Sequence, residues 1–436
     1  MERVRCLCYR NAAPRHKGRA IGRKAIVLSR DEDQVLDSPY AWLRLALSLM
    51  VATIGGVGLW SVVVVLPSVE AEFGVARAEA ALPYTLLMVG FAIGGVMMGR
   101  LSDRYGIIVP LVGGTLSLSA GYILAGQAQT LWQFALAHGV LIGMFGSSAT
   151  FGPMIADISR WFVRHRGIAV SVCACGSYLA GTFWPPIVQG FIDSVGWRQT
   201  HVGIGLFCLV TLLPLTLLLR RPAPVAATGP QGQPAVAPRS LQGLSPSFLQ
   251  TLLIIAGITC CIAMAMPQVH IVALCADLGF GTTRGAQMLS VMLATGIISR
   301  LVFGWLADRL GALPTLLISS GLQALTLLLF LPFEGLVSLF VVSALFGLAQ
   351  GGIVPTYAMI VREYFSPAQA GARIGLVLSA TLVGMAIGGW MSGAIYDLTL
   401  SYDAAFVNGF AWNLVNLAIA FWLLLRLGRR SALLTT

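Results

Sequence analysis

What most constrains this chain is a succession of twelve apolar stretches, each about as long as a helix needs to be to cross the hydrocarbon core of a bilayer. They lie near residues 42–68, 80–101, 107–126, 131–157, 167–192 and 199–219, then near 248–275, 284–306, 313–332, 335–361, 372–396 and 404–426. No water is available there to an unpaired peptide group, and a helix satisfies its own N–H and C=O groups within one segment. Of the 436 residues 57% are hydrophobic and only 10% charged, too little polar surface to coat a soluble globule. The expectation is an all-α membrane protein with twelve transmembrane helices.

The spans divide six and six around a polar, proline-rich break that carries Pro222, Pro224, Pro230, Pro234 and Pro238. The division is a basic tail over 1–40, a bundle over 41–220, a linker over 221–247, a second bundle over 248–427 and a short tail over 428–436. An internal repeat supports it. Gly99, Leu101, Asp103, Arg104 and Gly106 after the second span return 205 residues later as Gly304, Leu306, Asp308, Arg309 and Gly311 after the eighth. Trp161-Phe162 returns as Tyr364-Phe365 at an offset of 203 residues. Two nearly equal offsets imply duplication, and hence two bundles related by a pseudo-two-fold axis.

Arginines set the orientation. Loops on the side of the amino terminus hold Arg100, Arg104, Arg160, Arg164, Arg166, Arg220, Arg221, Arg239, Arg309, Arg362 and Arg373, whereas the opposite loops hold Arg77, Arg198 and Arg284. Both termini are expected in the cytoplasm, in a multi-pass protein of the cell (inner) membrane. The net charge of +11 resides in the tail and between spans, a pattern of membrane orientation and lipid contact that does not call for nucleic acid. The first 38 residues contain nine Lys or Arg but no apolar core for a cleavable signal. The eight cysteines form neither a disulfide framework nor a metal-ligand spacing, and no cofactor or metal is expected. No nucleophile–base constellation or phosphate-cradling glycine loop appears either, so an enzyme is not expected.

Arg300 is the residue of greatest functional interest. From Arg300 to Asp308, where the eighth span should reach water, is about 12 Å of helix, against a hydrocarbon half-thickness of roughly 15 Å. A charge so deep normally faces a wet cavity or a partner and marks a ligand or ion pathway. Its planar fork suits a carboxylate; bracing of helices through backbone carbonyls is the alternative. Gly296 and Gly304, four residues to either side, share its face and leave room for an anion or for a neighbouring backbone.

In each copy of the repeat, the glycines (Gly99 and Gly106, Gly304 and Gly311) allow a tight turn and close helix approach. The Asp-Arg pairs (Asp103 and Arg104, Asp308 and Arg309) form a candidate conformational latch, in which a carboxylate sits against the amino end of another helix. Trp60, Tyr84, Tyr178, Gln350 and Tyr357 are candidate cavity-lining residues for substrate contact, with packing the alternative for each. His270 is a further candidate, placed in the outer vestibule. His138 is read as a satisfied polar residue, Asp157 as half of a structural pair beside Arg160, and Pro185, Pro186 and Pro355 as helix kinks.

The repeated motif resembles the signature loop of the major facilitator superfamily, which implies the major facilitator fold. Trp161 to Ala169, running into Gly176-Ser177-Tyr178-Leu179-Ala180-Gly181, resembles the fourth-to-fifth-span region of the monocarboxylate transporters and the oxalate/formate-type antiporters. Gly393 to Tyr402 is similar to their loop after the eleventh span. In those families an arginine in the eighth span, four residues before a glycine, contacts the substrate carboxylate, and Arg300 and Gly304 match that pattern. No lysine occurs in the eleventh span, and one buried cation suits one carboxylate. The resemblance implies a secondary active transporter of a small organic anion, above all a monocarboxylate, working by alternating access, proton-coupled or by anion exchange, with a monomer as the functional unit. The alternatives are a facilitator-fold exporter of hydrophobic drugs or metabolites and a non-transporting organic-acid sensor.

Overall fold

The computed structural model describes residues 36–221 and 244–433; most of the basic tail and most of the proposed linker lie outside the described residues. Twelve helices are long and apolar enough to span a membrane: α1 (Pro39–Phe73), α2 (Arg77–Tyr105), α3 (Ile108–Gly126), α4 (Leu131–Ile158), α5 (Arg166–Val195), α6 (Trp197–Leu218), α7 (Pro246–Asp277), α8 (Thr282–Leu310), α9 (Ala312–Leu329), α10 (Leu336–Tyr364), α11 (Gln369–Thr399) and α12 (Asp403–Arg426). The first span of each half begins alike. Ser38 Oγ accepts from Ala41 N and Ser245 Oγ from Phe248 N, with Pro39 and Pro246 at the first helical position, where the missing N–H costs nothing. Gly106 (φ +79°) and Gly311 (φ +90°) end α2 and α8 in a backbone conformation that other residues rarely adopt.

Apolar surface alone does not drive helices together in lipid, so close approach of backbones matters. In the first half a Cβ at Gly90 would run into the Gly139 carbonyl and one at Gly94 into the Met144 carbonyl, bringing α2 against α4. In the second half Gly347 meets Met292 O and Gly351 meets Gly296 O, bringing α10 against α8. The repeat-motif glycines Gly99 and Gly304 face open space instead, contrary to the sequence expectation. Gly99 lies five residues beyond Gly94, which at about 100° per residue turns it away from the packed face.

Several spans are interrupted. α1 breaks at Gly56 and α5 at Cys175, α4 widens into a π-helix over Ala137–Gly146, and α10 breaks at Gly351 and Gly352. Pro185 and Pro186 lie inside a helix that runs unbroken over Gly176–Val195. Pro355 falls in the first turn after the Gly351–Gly352 break, where no helical partner is lost. The halves meet along α5 with α8 and along α2 with α11.

One buried ion pair ties the first half together at the face that carries the termini. Arg44, fully buried, donates from Nε to Asp157 Oδ2 (2.8 Å) and from Nη1 to the carbonyls of Leu219 (3.0 Å) and Arg221 (3.1 Å), with the Trp161 ring 4.5 Å away. Asp157 is thus a structural residue, but its partner comes from α1 and not from neighbouring Arg160, which instead reaches Asp103 at 3.3 Å. Nearby, Asp37 accepts from the N–H groups of Val163 and Arg164 (3.0 Å each) and of His165 (3.3 Å), capping α5. Burial works against its charge, yet the donors of Arg164, Val163 and His165 prevail and hold the carboxyl below its ordinary value. Its stabilisation is present above the unfolded carboxylate value of about 3.9 and is lost as pH falls through the lower folded value.

Removing one partner of a buried pair strands the other charge. Arg44→Met is therefore expected to cost roughly 3–5 kcal/mol, and Arg44→Met combined with Asp157→Leu to recover most of it. Thermal unfolding of the purified protein in detergent checks this; a double variant no more stable than Arg44→Met would count against the pair as the cause.

Candidate functional site

Between the halves lies a cavity of about 140 Å³, walled by side chains of α1, α2, α4, α5, α7, α8, α10 and α11. Four residues expected from sequence line it: Trp60, Tyr84, Tyr178 and Arg300. Three others do not. Gln350 stands one residue behind the wall, Tyr357 is held within the second half by Asn416 Oδ1 (2.8 Å), and His270 belongs to a closure described below. Much of the remaining wall is apolar and includes Met88, Phe91, Phe151, Met264, Leu382 and Met385.

Arg300 is positioned by the interruption in α5. At Cys175 the Tyr178 N–H donates to Cys175 O (3.0 Å), not to Ala174 O, which frees the Ala174 carbonyl from the helical ladder. Arg300 Nη1 donates to that carbonyl across the seam between the halves at 3.0 Å. Its guanidinium lies 4.1 Å from the centre of the Tyr178 ring, a cation–π contact. Gly296, one turn earlier on α8, has no side chain to hold that ring off, while Gly304 faces open space. Arg300 Nε is buried without a partner, and among the described residues no hydrogen bond reaches Nη2. The Nε–Nη2 edge of the fork is therefore unpartnered, and it is an edge with the geometry for two parallel bonds to one carboxylate.

Trp60 is oriented by a bond from Nε1 to Ser177 O (2.9 Å) and lies against Gly181. Tyr84 packs against Gly389 of α11, and its hydroxyl is buried without a partner. Sequence reasoning missed Gln268, which lines the cavity one turn from Met264. A lone amide inside the apolar run around Pro267 was the signal available.

The face opposite the termini is closed by a network centred on Arg77. Its guanidinium bonds Glu70 (2.9 Å), Asp277 (2.6 Å) and the Tyr402 hydroxyl (2.7 Å), with the Tyr396 ring 4.2 Å away. Asp397 accepts from the backbone N–H groups of Arg77 and Ala78, 2.8 Å each, at the start of α2. His270 completes the chain, with Nε2 on Gly389 O (2.8 Å) and Nδ1 facing Tyr402 (3.2 Å), so the Tyr402 hydroxyl can donate to the unprotonated Nδ1. His270 is thus fully buried in the closure and does not stand in an open vestibule. Burial beside these carboxylates pushes the Tyr402 hydroxyl well above its ordinary pKa, so it stays a neutral donor. Thr85 to Ala386 O, Gln189 to Thr282 and Thr283 to Asp193 add further bonds across the same seam. Sequence reasoning used Arg77 only as a loop charge, since nothing local marks its partners up to 325 residues away.

At the face of the termini the picture differs. Asp103 pairs with Arg160 of its own half, Arg104 lies over Tyr105, Arg309 lies over Trp305, and Asp308 is exposed. In the second half the carboxylate that sits on a helix start is Glu363, which accepts from Ala312 N (3.1 Å) as Asp37 accepts at the start of α5. Hydrogen bonds and ion pairs that join the halves run from Arg300 to the far face.

Twelve spans in two six-helix halves, with a polar-edged cavity at their seam that is closed toward one face, define a multi-pass membrane transporter. The sequence profile of the Major Facilitator Superfamily matches residues 48–338 and again 253–435. The chain belongs to that family, whose members are transporters and not enzymes. It is 28% identical to Monocarboxylate transporter 13 of Bos taurus over 346 residues, 77% of this chain and 79% of that one. It is also 28% identical to the MFS-type transporter pynF of Aspergillus niger over 311 residues, 70% of this chain and 69% of that one. A crystal structure of a bacterial homolog of the human lysosomal transporter Spinster, described as inward-facing and occupied, superposes with a TM-score of 0.66 at 14% identity, covering 89% of this chain and 96% of that one. That likeness concerns the fold.

If Arg77 holds the far face shut, Arg77→Gln should open it. A cysteine introduced at Thr282 is expected to react several-fold faster with a membrane-impermeant maleimide added to that face in Arg77→Gln than in the parent background; equal rates would remove Arg77 from the closure.

Proposed function

We propose that this protein moves a small organic anion, above all a monocarboxylate, across the cell membrane by alternating access. The observation that carries the reading is the open Nε–Nη2 edge of Arg300 beside a cavity at the seam of the halves. Among the described residues one backbone carbonyl is the guanidinium's hydrogen-bond partner, beside the Tyr178 ring, so a carboxylate can compete for it, and low-dielectric surroundings strengthen that bond. The halves over 41–220 and 248–427 act as the moving bodies, and the closure around Arg77 is the contact that breaks on rocking. The Asp-Arg turns around Asp103 and Asp308 are in position to latch the opposite face when it closes. Both termini lie in the cytoplasm, following the arginine distribution, and the functional unit is a monomer.

Coupling is to protons or to exchange of a second anion. Among the described residues no carboxylate lines the cavity, so in a proton-coupled cycle the substrate carboxyl itself carries the proton past Arg300. The apolar wall also favours a hydrophobic cargo, as in an exporter of drugs or metabolites. Size weighs against that reading, since drug-sized ligands occupy pockets of about 300–1,000 Å³ and this cavity is about 140 Å³.

Uptake of labelled monocarboxylates, pyruvate and phenylacetate among them, into proteoliposomes tests the proposal. Arg300→Ala is expected to lower apparent affinity about 10- to 100-fold, the scale of a charge-assisted pair of hydrogen bonds, and Arg300→Lys to recover part of it. Undiminished uptake by Arg300→Ala would overturn the anchor role.

A further inference from the structure

Two residues of the cavity wall besides Arg300 carry a buried polar atom without a partner. Gln268 is 2% exposed and Tyr84 1% exposed; both line the cavity. Gln268 donates from Nε2 to Gln350 Oε1 at 2.7 Å, which leaves Gln268 Oε1 and Gln350 Nε2 without partners. The Tyr84 hydroxyl likewise has none. A buried polar atom without a partner costs free energy, and in a native fold it calls for a reason such as a ligand or water. The rest of the wall is mostly thioethers, aromatic rings and branched aliphatic chains, and the hydroxyls of Ser177 and Thr381 are already bonded to backbone carbonyls. A polar pair set in an apolar wall selects one polar group on an otherwise apolar molecule.

The amide pair adds a second property. If both amides turn over together, Gln350 donates to Gln268 and the bond between them survives, while Gln268 turns from a free acceptor into a free donor. Together with a phenol that can donate or accept, this pair can match a hydroxyl, which is itself both donor and acceptor. The available volume bounds the rest of the molecule, because a cavity of about 150 Å³ lined by apolar side chains accommodates a benzene ring.

Resting on the anion reading above, we propose that the substrate is an aromatic or similarly compact apolar monocarboxylate bearing one hydroxyl, and that Gln268 and Tyr84 are the residues that select for that hydroxyl. The carboxylate takes the Nε–Nη2 edge of Arg300, the ring fills the space among Met88, Phe91, Met264 and Met385, and the hydroxyl donates to Gln268 Oε1 while accepting from Tyr84.

Binding of phenylacetate and benzoate, each against its para-hydroxy derivative, measured by calorimetry on the purified full chain in detergent, tests this. In at least one pair the hydroxylated acid is expected to bind about tenfold more tightly. Gln268→Met or Tyr84→Phe should bring that ratio close to one while the unhydroxylated acid still binds, which a loss of folding would not allow. Equal affinities in the parent, or a preference that survives in both variants, would overturn the selector. If no acid binds, and Arg300→Ala changes nothing, the anion reading itself falls and takes the selector with it; binding of all four acids without preference leaves that reading standing and rejects only this one.

Discussion

A guanidinium held inside a membrane protein by one borrowed carbonyl is the interaction on which the rest of the structure depends. The carbonyl is released from the helical ladder because α5 is interrupted at Cys175. The interruption fits the fold only because Gly176 meets Ala52 and Gly56 meets Ala180, so the breaks in α1 and α5 pack on each other. The charge is thus stabilised by an irregularity of backbone, which membrane proteins tolerate where it faces protein or a cavity. A fully braced arginine would have been a structural residue. With one edge of its fork left open, Arg300 has unused capacity for an anion.

Arg44 shows the contrast. It too is a buried arginine, but Nε is taken by a carboxylate and Nη1 by two carbonyls, with a ring face beside them, and only Nη2 is left without a partner. It fastens the end of α6 to α1 and α4 and leaves no edge that opens on the central cavity. Arg77 represents a third use, a charge bonded to both halves at once, with carboxylates of α1 and α7 as partners. Contacts of that kind can separate when water enters. Bonds that close one face and can part again are what a two-state rocking mechanism requires, since a bilateral lock would leave neither side accessible.

Much of this was legible without coordinates. The spans fall within a few residues of the helices because apolar length and the absence of charge report directly on the bilayer. Gly106 and Gly311 were readable as turns because their backbone conformation is one that only glycine enters freely. The role of the Asp-Arg repeat was less legible. The motif places charges at a membrane boundary, but which carboxylate caps which helix is settled by packing within each half, and here Glu363 caps α9 while Asp103 turns to Arg160. Gln350, Tyr357 and His270 were credible cavity residues by span and polarity. Their helices present them to partners within the second half or its closure, a matter of helix phase and tilt that periodicity does not determine when a span is apolar on every side.

The sequence by itself determined that this chain spans a membrane twelve times, that it is built from a duplicated half, and that one arginine lies too deep to be idle. Each of these follows from the cost of placing charges and unpaired peptide groups in hydrocarbon, which acts on every residue whatever its neighbours. Only the tertiary structure decided that Arg300 keeps an open edge, that Gln268 and Tyr84 share its cavity, and that Arg77 closes the far face. Those properties belong to contacts between helices that are far apart along the chain, and a hydrogen bond is sensitive to fractions of an ångström that no spacing in a sequence records.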